Sequence, residues 1–260
     1  MLGIGQSLMS TNVSQGFTID TLSGLVAWYP FNTGQTEVSG ALAAWADASG
    51  NSRTLINTLQ TNKRPTYQSG RINFGDVTNS FMDINNGPVP NSVAYTLFFV
   101  IEFAVGSSTS LNTLVSSASG SNNTASFTWG PLSGGSSQLF QVLTAGASSS
   151  DSFFNAVVSS NLVSNNVKTI LQYTYGGGTT AGDTDFIISK DEDGGALTQI
   201  ASRTLANASN HTQGFNAVGL DSASFFPKGF IDEIVIFNRK LSVSEAADVR
   251  ADIKARNSMT

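Results

Sequence analysis

The chain has 260 residues, 40% of them hydrophobic and 12% charged, with a net charge of −5 and a pI near 4.7. That apolar share supports a sizeable core and excludes wholesale disorder, while the acidic balance, with no basic cluster larger than the pair Lys63–Arg64, lacks the positive footprint of a nucleic-acid binder. With no cysteine and a single histidine, thiol chemistry, disulfides, thiolate zinc and His-rich metal sites are excluded.

The N-terminal stretch "MLGIGQSLMSTNVSQG" has no positively charged n-region and no apolar run of signal-peptide length. It reads as an arm over residues 1–20, ahead of a domain over residues 21–260. No segment approaches the roughly 20 apolar residues needed to cross a bilayer as a helix, so membrane insertion is not expected.

From there the chain is cut by glycine and Ser/Asn/Thr clusters into short pieces rich in Val, Ile, Phe, Thr and Tyr, which read as strands. In order they are Leu25–Phe31, Arg71–Phe74, Ser80–Ile84, Tyr95–Phe103, Asn112–Ser117, Ala125–Gly130, Gln138–Leu143, Val167–Tyr175, Asp185–Asp191, Phe215–Leu220 and Phe230–Asn238. The continuously apolar middle of "YTLFFVIEF" predicts a central strand buried on both faces. "VKTILQYTY" alternates, with Val167, Thr169, Leu171 and Tyr173 on one face and Ile170, Gln172 and Thr174 on the other. "SKDEDGGAL" reads as an acidic hairpin tip. Many short strands without a fixed period predict an all-β sandwich or barrel rather than a propeller or solenoid.

One helix is expected, after Leu241. Ser242 at the N-cap and Glu245 three residues on form a capping box. Val243, Ala246, Ala247, Val249 and Ile253 follow as the buried stripe. Asp248, Asp252, Arg250, Lys254 and Arg256 fall on the wet side, the basic groups late in the helix, where its dipole favours them.

Three stretches carry a resemblance: "LSGLVAWYPFNTG" (Leu22–Gly34), "WADASGNSRTL" (Trp45–Leu55) and "GFIDEIVIFNRKLSVSEAADV" (Gly229–Val249). In order and spacing they resemble the laminin-G-like, concanavalin A-like jelly rolls. That family pairs a D-x-S-G-N turn with a late G-x-I-D-E strand and a terminal helix. The run from Trp45 through "RPTYQSGRINFGD" resembles the phage virion form of that family, although Gly75–Asp76 stand in the reverse of its usual order.

The resemblance implies a two-sheet jelly-roll sandwich with a short C-terminal helix. It further implies a non-enzymatic phage virion structural protein at the particle surface, such as a capsid decoration, fibre or tail component. Residues 1–20 would then dock on other virion proteins, and the assembly would be a homo-oligomer, a trimer by analogy with fibre proteins. The alternative is a secreted or surface carbohydrate-binding adhesion module, and the two readings share a possible contact with cell-surface glycans.

The site residues follow from both sources. Glucanases on this fold aim two acids of one strand into one cleft, which suits residues two apart; Asp232 and Glu233 are neighbours and should face opposite ways, one bonded inward and one solvated. The resemblance implies a structural calcium at Asp47, Asn51 and Asp232, against a plain Asx/Gly turn. Among the three tryptophans, Trp28 and Trp45 read as buried and Trp129 as the candidate sugar-stacking residue. His211, in the polar stretch 206–214, reads as a solvated loop residue rather than a triad member.

Overall fold

The structure is a computed structural model that describes residues 17–57, 60–75, 80–86, 94–103, 112–116, 126–131, 138–143, 153–158, 163–164, 166–176, 185–204, 215–219 and 229–260. A 3-10 turn, Ile19–Thr21, precedes the strands, and a second, Thr61–Lys63, lies among them. The first seven strands are short: β1 (Leu25–Tyr29), β2 (Gln35–Val38), β3 (Ala41–Trp45), β4 (Leu55–Ile56), β5 (Thr66–Gln68), β6 (Arg71–Asn73) and β7 (Met82–Ile84). The middle of the chain supplies β8 (Tyr95–Phe103), β9 (Asn112–Ser116), β10 (Ser126–Pro131), β11 (Gln138–Leu143) and β12 (Phe153–Val158). Then come β13 (Thr169–Tyr175), β14 (Asp185–Glu192), β15 (Thr198–Thr204), β16 (Ala217–Val218), β17 (Gly229–Phe237) and the helix α1 (Val243–Arg256).

Every pairing is antiparallel, and the strands form the two layers of an all-β sandwich. One layer runs β1–β17–β8–β13–β14–β15. The other runs β2–β3–β4–β7–β16–β9–β10–β11–β12, with β5 linking β3 to β6. A single pair, Phe230 with Asn73, joins β17 to β6 and so connects the layers at one corner.

Alternation sorts the apolar side chains of the first layer into two cores. Leu97, Phe99 and Ile101 of β8, Ile234 and Ile236 of β17, and Leu171 and Tyr173 of β13 face the second layer, and the inner core they form also holds Tyr29, Trp45 and Phe74. Phe98 and Val100, Val235 and Phe237, and Ile170 face outward, where Ala246, Val249 and Ile253 of α1 cover them. The two-sided burial read from "YTLFFVIEF" is therefore the burial of β8 between a sheet and a helix.

The helix begins as the capping box predicts. Glu245 N donates to Ser242 Oγ at 3.2 Å, and Ser242 N donates to Glu245 Oε2 at 2.8 Å. Its buried stripe is narrower than expected: Val243 is 88% exposed and Ala247 is exposed, because the helix meets the sheet only along Ala246, Val249 and Ile253. Arg250, Lys254 and Arg256 are not a wet face either. They reach back to Asp191 and Glu233 on the sheet. The described fold starts ahead of the expected boundary at residue 20, with Ile19 fully buried and Phe17 packed in the outer core; residues 1–16 of the expected arm lie outside the described residues.

Arg239 Nη2 lies 2.7 Å from Glu245 Oε1. The Arg239 hydrogen bonds and the Ser242 amide hold the Glu245 carboxyl down to about 2, from an ordinary 4.5. A depressed folded-state pKa means that its stabilisation is complete above the unfolded value and is lost as pH falls toward the folded one. The difference in urea midpoint between the wild type and Glu245→Gln should therefore be constant above pH 5 and shrink steadily as pH falls from about 4.5 toward 2. A difference that does not change over that window would rule out this role for the carboxylate.

Candidate functional site

The late acidic pair sits on a backbone irregularity. Ile231 pairs with Ile101 and Glu233 with Val100, so β17 spends two residues where β8 spends one, and Asp232 is the extra residue of a β-bulge. The bulge overturns the expectation that neighbours face opposite ways. Ile231 faces the inner core, whereas the carboxylates of Asp232 and Glu233 both meet partners on the helix-covered face. Neither is solvated, with Asp232 at 0% and Glu233 at 1% exposure.

Asp232 is neutralised from two sides. Arg71 Nε donates to both of its oxygens at 3.1 Å, and Nη2 donates to Oδ2 at 2.7 Å. Lys168 Nζ lies 3.6 Å away, just ahead of β13. Each cation also lies over an aromatic ring, Arg71 at 4.0 Å from the Phe230 centroid and Lys168 at 4.7 Å from that of Phe31. Arg71 Nη1 further pairs with Glu102 Oε2 at 3.0 Å. Burial works against the guanidinium's charge, but Asp232 and Glu102 outweigh it and hold Arg71 above its ordinary pKa.

Glu233 faces α1. Its Oε1 accepts from Arg256 Nη2 at 2.7 Å and from Trp28 Nε1 at 3.0 Å, and its Oε2 accepts from Asn257 Nδ2 at 2.7 Å. Burial dominates and leaves this carboxyl above its ordinary range, although Arg256, Trp28 and Asn257 oppose the rise. Trp28 is thus half-buried, with its indole N–H committed to Glu233 and Arg256 5.0 Å above its ring. It is not the core tryptophan that the alternation of β1 predicts. Trp45 is: it is fully buried, and its Nε1 donates to Pro30 O and Thr33 O.

Above this network lies an open polar cleft of about 590 Å³. Arg71, Glu102, Asn166, Lys168, Asp193 and Asn257 line it. Asn166 adopts a left-handed backbone (φ 55°) that turns the chain into β13. Asp193 is at the tip of the β14–β15 hairpin, where the predicted "DG" turn forms at Asp193–Gly194. The Thr260 amide and hydroxyl donate to Asp193 Oδ1 at 2.7 and 3.1 Å and hold this carboxyl below its ordinary range. Asn257 closes the other side as the residue after α1.

The expected calcium residues are in two places. Asp47 and Asn51 share the D-x-S-G-N turn, but every oxygen of Asp47 faces a donor. Oδ1 accepts from Trp28 N and Ser49 N, and Oδ2 accepts from Ser49 Oγ and Arg53 N. Asn51 Nδ2 donates to Leu25 O and Val26 O, tying the turn to β1. Asp232 belongs to the Arg71–Lys168 network instead. This donor set does not fit a calcium ion, because guanidinium, ammonium and N–H groups stand where the cation would. Among the described residues, no group of three or more His, Asp or Glu side chains could hold a metal ion. Trp129 lies in β10, paired with Phe140 and Asn112; its side chain, like the whole of His211, lies outside the described residues.

The countercharges Arg71, Lys168 and Arg256 and the amide Asn257 were not singled out from sequence. The signal was present, since an acidic pair inside an apolar run must find cations, and the chain has only 13 Lys and Arg to supply them.

No family model matches the chain, and no curated protein matches it. Among solved structures, it is similar to a GH54 α-L-arabinofuranosidase, at TM-score 0.56 and 14% identity, over 83% of this chain and 51% of that one. It is similar to domain 4 of AbnA, a GH43 extracellular arabinanase from Geobacillus stearothermophilus solved with arabinotriose. That likeness has a TM-score of 0.56 and 15% identity, over 86% of this chain and 97% of that domain. Trypanosoma rangeli sialidase in complex with sialic acid gives 0.56 and 14%, over 90% of this chain and 33% of that one. The chain thus spans about half the length of the arabinofuranosidase and a third of the sialidase, and at such identity the likeness shows the fold alone. It also overturns the expected laminin-G-like phage virion identity. The similar folds belong to carbohydrate-active enzymes, and nothing in the comparisons supports a virion structural role.

Removing one partner of a buried ion pair strands the other, at a cost of roughly 3–5 kcal/mol. Arg71→Met should lose about that much unfolding free energy in urea, and the double variant Arg71→Met/Asp232→Leu should regain most of it. A loss below about 1 kcal/mol for Arg71→Met would show that Lys168 alone neutralises Asp232.

Proposed function

We propose that this chain is a carbohydrate-binding module that binds an oligosaccharide at the open polar cleft without hydrolysing it. The observation that carries the reading is the cleft itself. It combines cationic, carboxylate and amide groups in one concavity, the mixture of donors and acceptors that hydroxyl-rich ligands require. The fold supports it, since the sandwich is similar over nearly the whole length of an arabinanase domain whose structure holds arabinotriose.

The state of the acids supports binding over cleavage. A retaining or inverting hydrolase needs one carboxylate able to attack or activate water and one able to give up a proton. Here Asp232 and Glu233 are buried and engaged by Arg71, Lys168, Arg256, Trp28 and Asn257, and Glu102 is paired with Arg71. A carboxylate whose lone pairs face fixed cations and N–H donors is turned away from substrate.

The test is retention on immobilised polysaccharides, arabinan first, with reducing-end release assayed on the same samples. Retention without new reducing ends is the expected result. Release of reducing ends would overturn the non-hydrolytic part, and failure to be retained on any polysaccharide would overturn the whole.

A further inference from the structure

The cleft wall contains an acceptor whose donor is missing. Asn257 is 2% exposed, and both protons of its amide are fixed: Nδ2 donates to Glu233 Oε2 at 2.7 Å and to Ile253 O at 3.0 Å. Both partners are acceptors, so the amide cannot be turned round, and the other atom must be Oδ1. That oxygen is buried without a hydrogen-bond partner among the described residues. A buried unpaired carbonyl oxygen is costly, and a group that brings it a proton, directly or through one water, is favoured.

The facing groups complement it. Lys168 Nζ donates to Asn257 O at 3.2 Å and otherwise faces the Phe31 ring and Asp232, leaving donor capacity toward the cleft. Asn166 is exposed at the rim and carries both a donor and an acceptor. The charges lining the cleft cancel, with Arg71 and Lys168 against Glu102 and Asp193, and Asp232 beneath adds a further negative charge. An anionic ligand would meet no net positive field and would lie beside two carboxylates.

We propose that the cleft takes a neutral polyhydroxy ligand, a sugar unit with adjacent hydroxyls, of which one accepts from Lys168 and the next donates to Asn257 Oδ1, the wall shifting on binding to uncover that buried oxygen. The assignment rests on the carbohydrate-binding reading and narrows it, since it names the groups of the cleft that hold the ligand and excludes acidic sugars as its preferred ligands. Asn166 sets the rim contact, and Asn257 couples the bound hydroxyl to Glu233 through its own amide.

The experiment is calorimetric titration of the full chain with a panel of neutral oligosaccharides led by arabinotriose, and with sialic acid. It is run on the wild type, Asn166→Gly and Lys168→Gln, with each variant's thermal midpoint measured alongside. Glycine keeps the left-handed backbone at position 166, so that variant isolates the side chain even if Lys168→Gln is too unstable to titrate. The expected result is that a neutral sugar binds and that each folded variant binds it about tenfold more weakly, the scale of one lost hydrogen bond to a charged or buried group. Neutral binding unchanged in Asn166→Gly and in any folded Lys168→Gln would overturn the cleft as the site, here and in the reading above, and leave standing only that the chain binds carbohydrate. Tighter binding of sialic acid would overturn the neutral class. Failure of every sugar to bind would overturn both the proposal and the reading beneath it.

Discussion

Two carboxylates buried side by side on the outer face of β17 must be neutralised where they sit, and that requirement organises everything around the middle of the sheet. An ion taken from water into a protein interior carries a penalty of several kcal/mol unless cations and donors surround it. Asp232 draws in Arg71 from β6 and Lys168 from the approach to β13. Glu233 draws in Trp28 from β1 and Arg256 and Asn257 from the end of α1. Segments from across the chain therefore converge on two consecutive residues, and the bulge at Asp232 is what lets both acids share one face.

The cleft follows from the same arrangement. The helix covers the outer face with apolar groups only as far as Ile253; past that point the sheet presents charge rather than hydrocarbon. Groups that neutralise one another cannot also pack like leucines, and their long side chains leave polar concave space at the helix end. Asn257 belongs to both worlds. Its amide protons finish the solvation of Glu233 and cap Ile253, and its unpaired oxygen is left on a residue of the cleft wall. The Asp193–Thr260 bonds hold the chain beyond Asn257 against the β14–β15 hairpin, so the wall stays in place.

Much of the fold was legible because hydrophobic periodicity is a local signal. β8, β13, β14, β17 and the capping box of α1 were all readable from their own residues. Of the strands not singled out, β2, β3, β4, β5 and β15 are short, polar or alanine-rich, and their pairing rather than their composition makes them strands; β12, Phe153–Val158, is apolar and its composition already favours a strand. The site was less legible. The acidic pair stood out, but its geometry depends on a bulge that only the register with β8 reveals, and its partners lie up to 205 residues away in sequence. The expected calcium fails at Asp232 for the same reason, since its donors come from segments distant in the chain. At Asp47 the turn itself occupies the oxygens through Ser49 and Arg53, as the plain Asx/Gly turn implies.

A sandwich shared with arabinofuranosidase, arabinanase and sialidase chains does not decide what this one does, because that fold carries both catalytic and binding sites. The decision falls to the carboxylates. In a hydrolase, strain and desolvation would be directed at leaving one acid free and one protonated. Here the burial is as deep, but each charge is answered by a nearby cation, and Arg71 answers Asp232 and Glu102 at once. Freeing either acid for catalysis would strand that cation and loosen the corner where β6 meets β17. On the binding reading proposed above, the network that holds this corner of the fold together is also the one that keeps these acids from catalysis, and the cleft serves recognition.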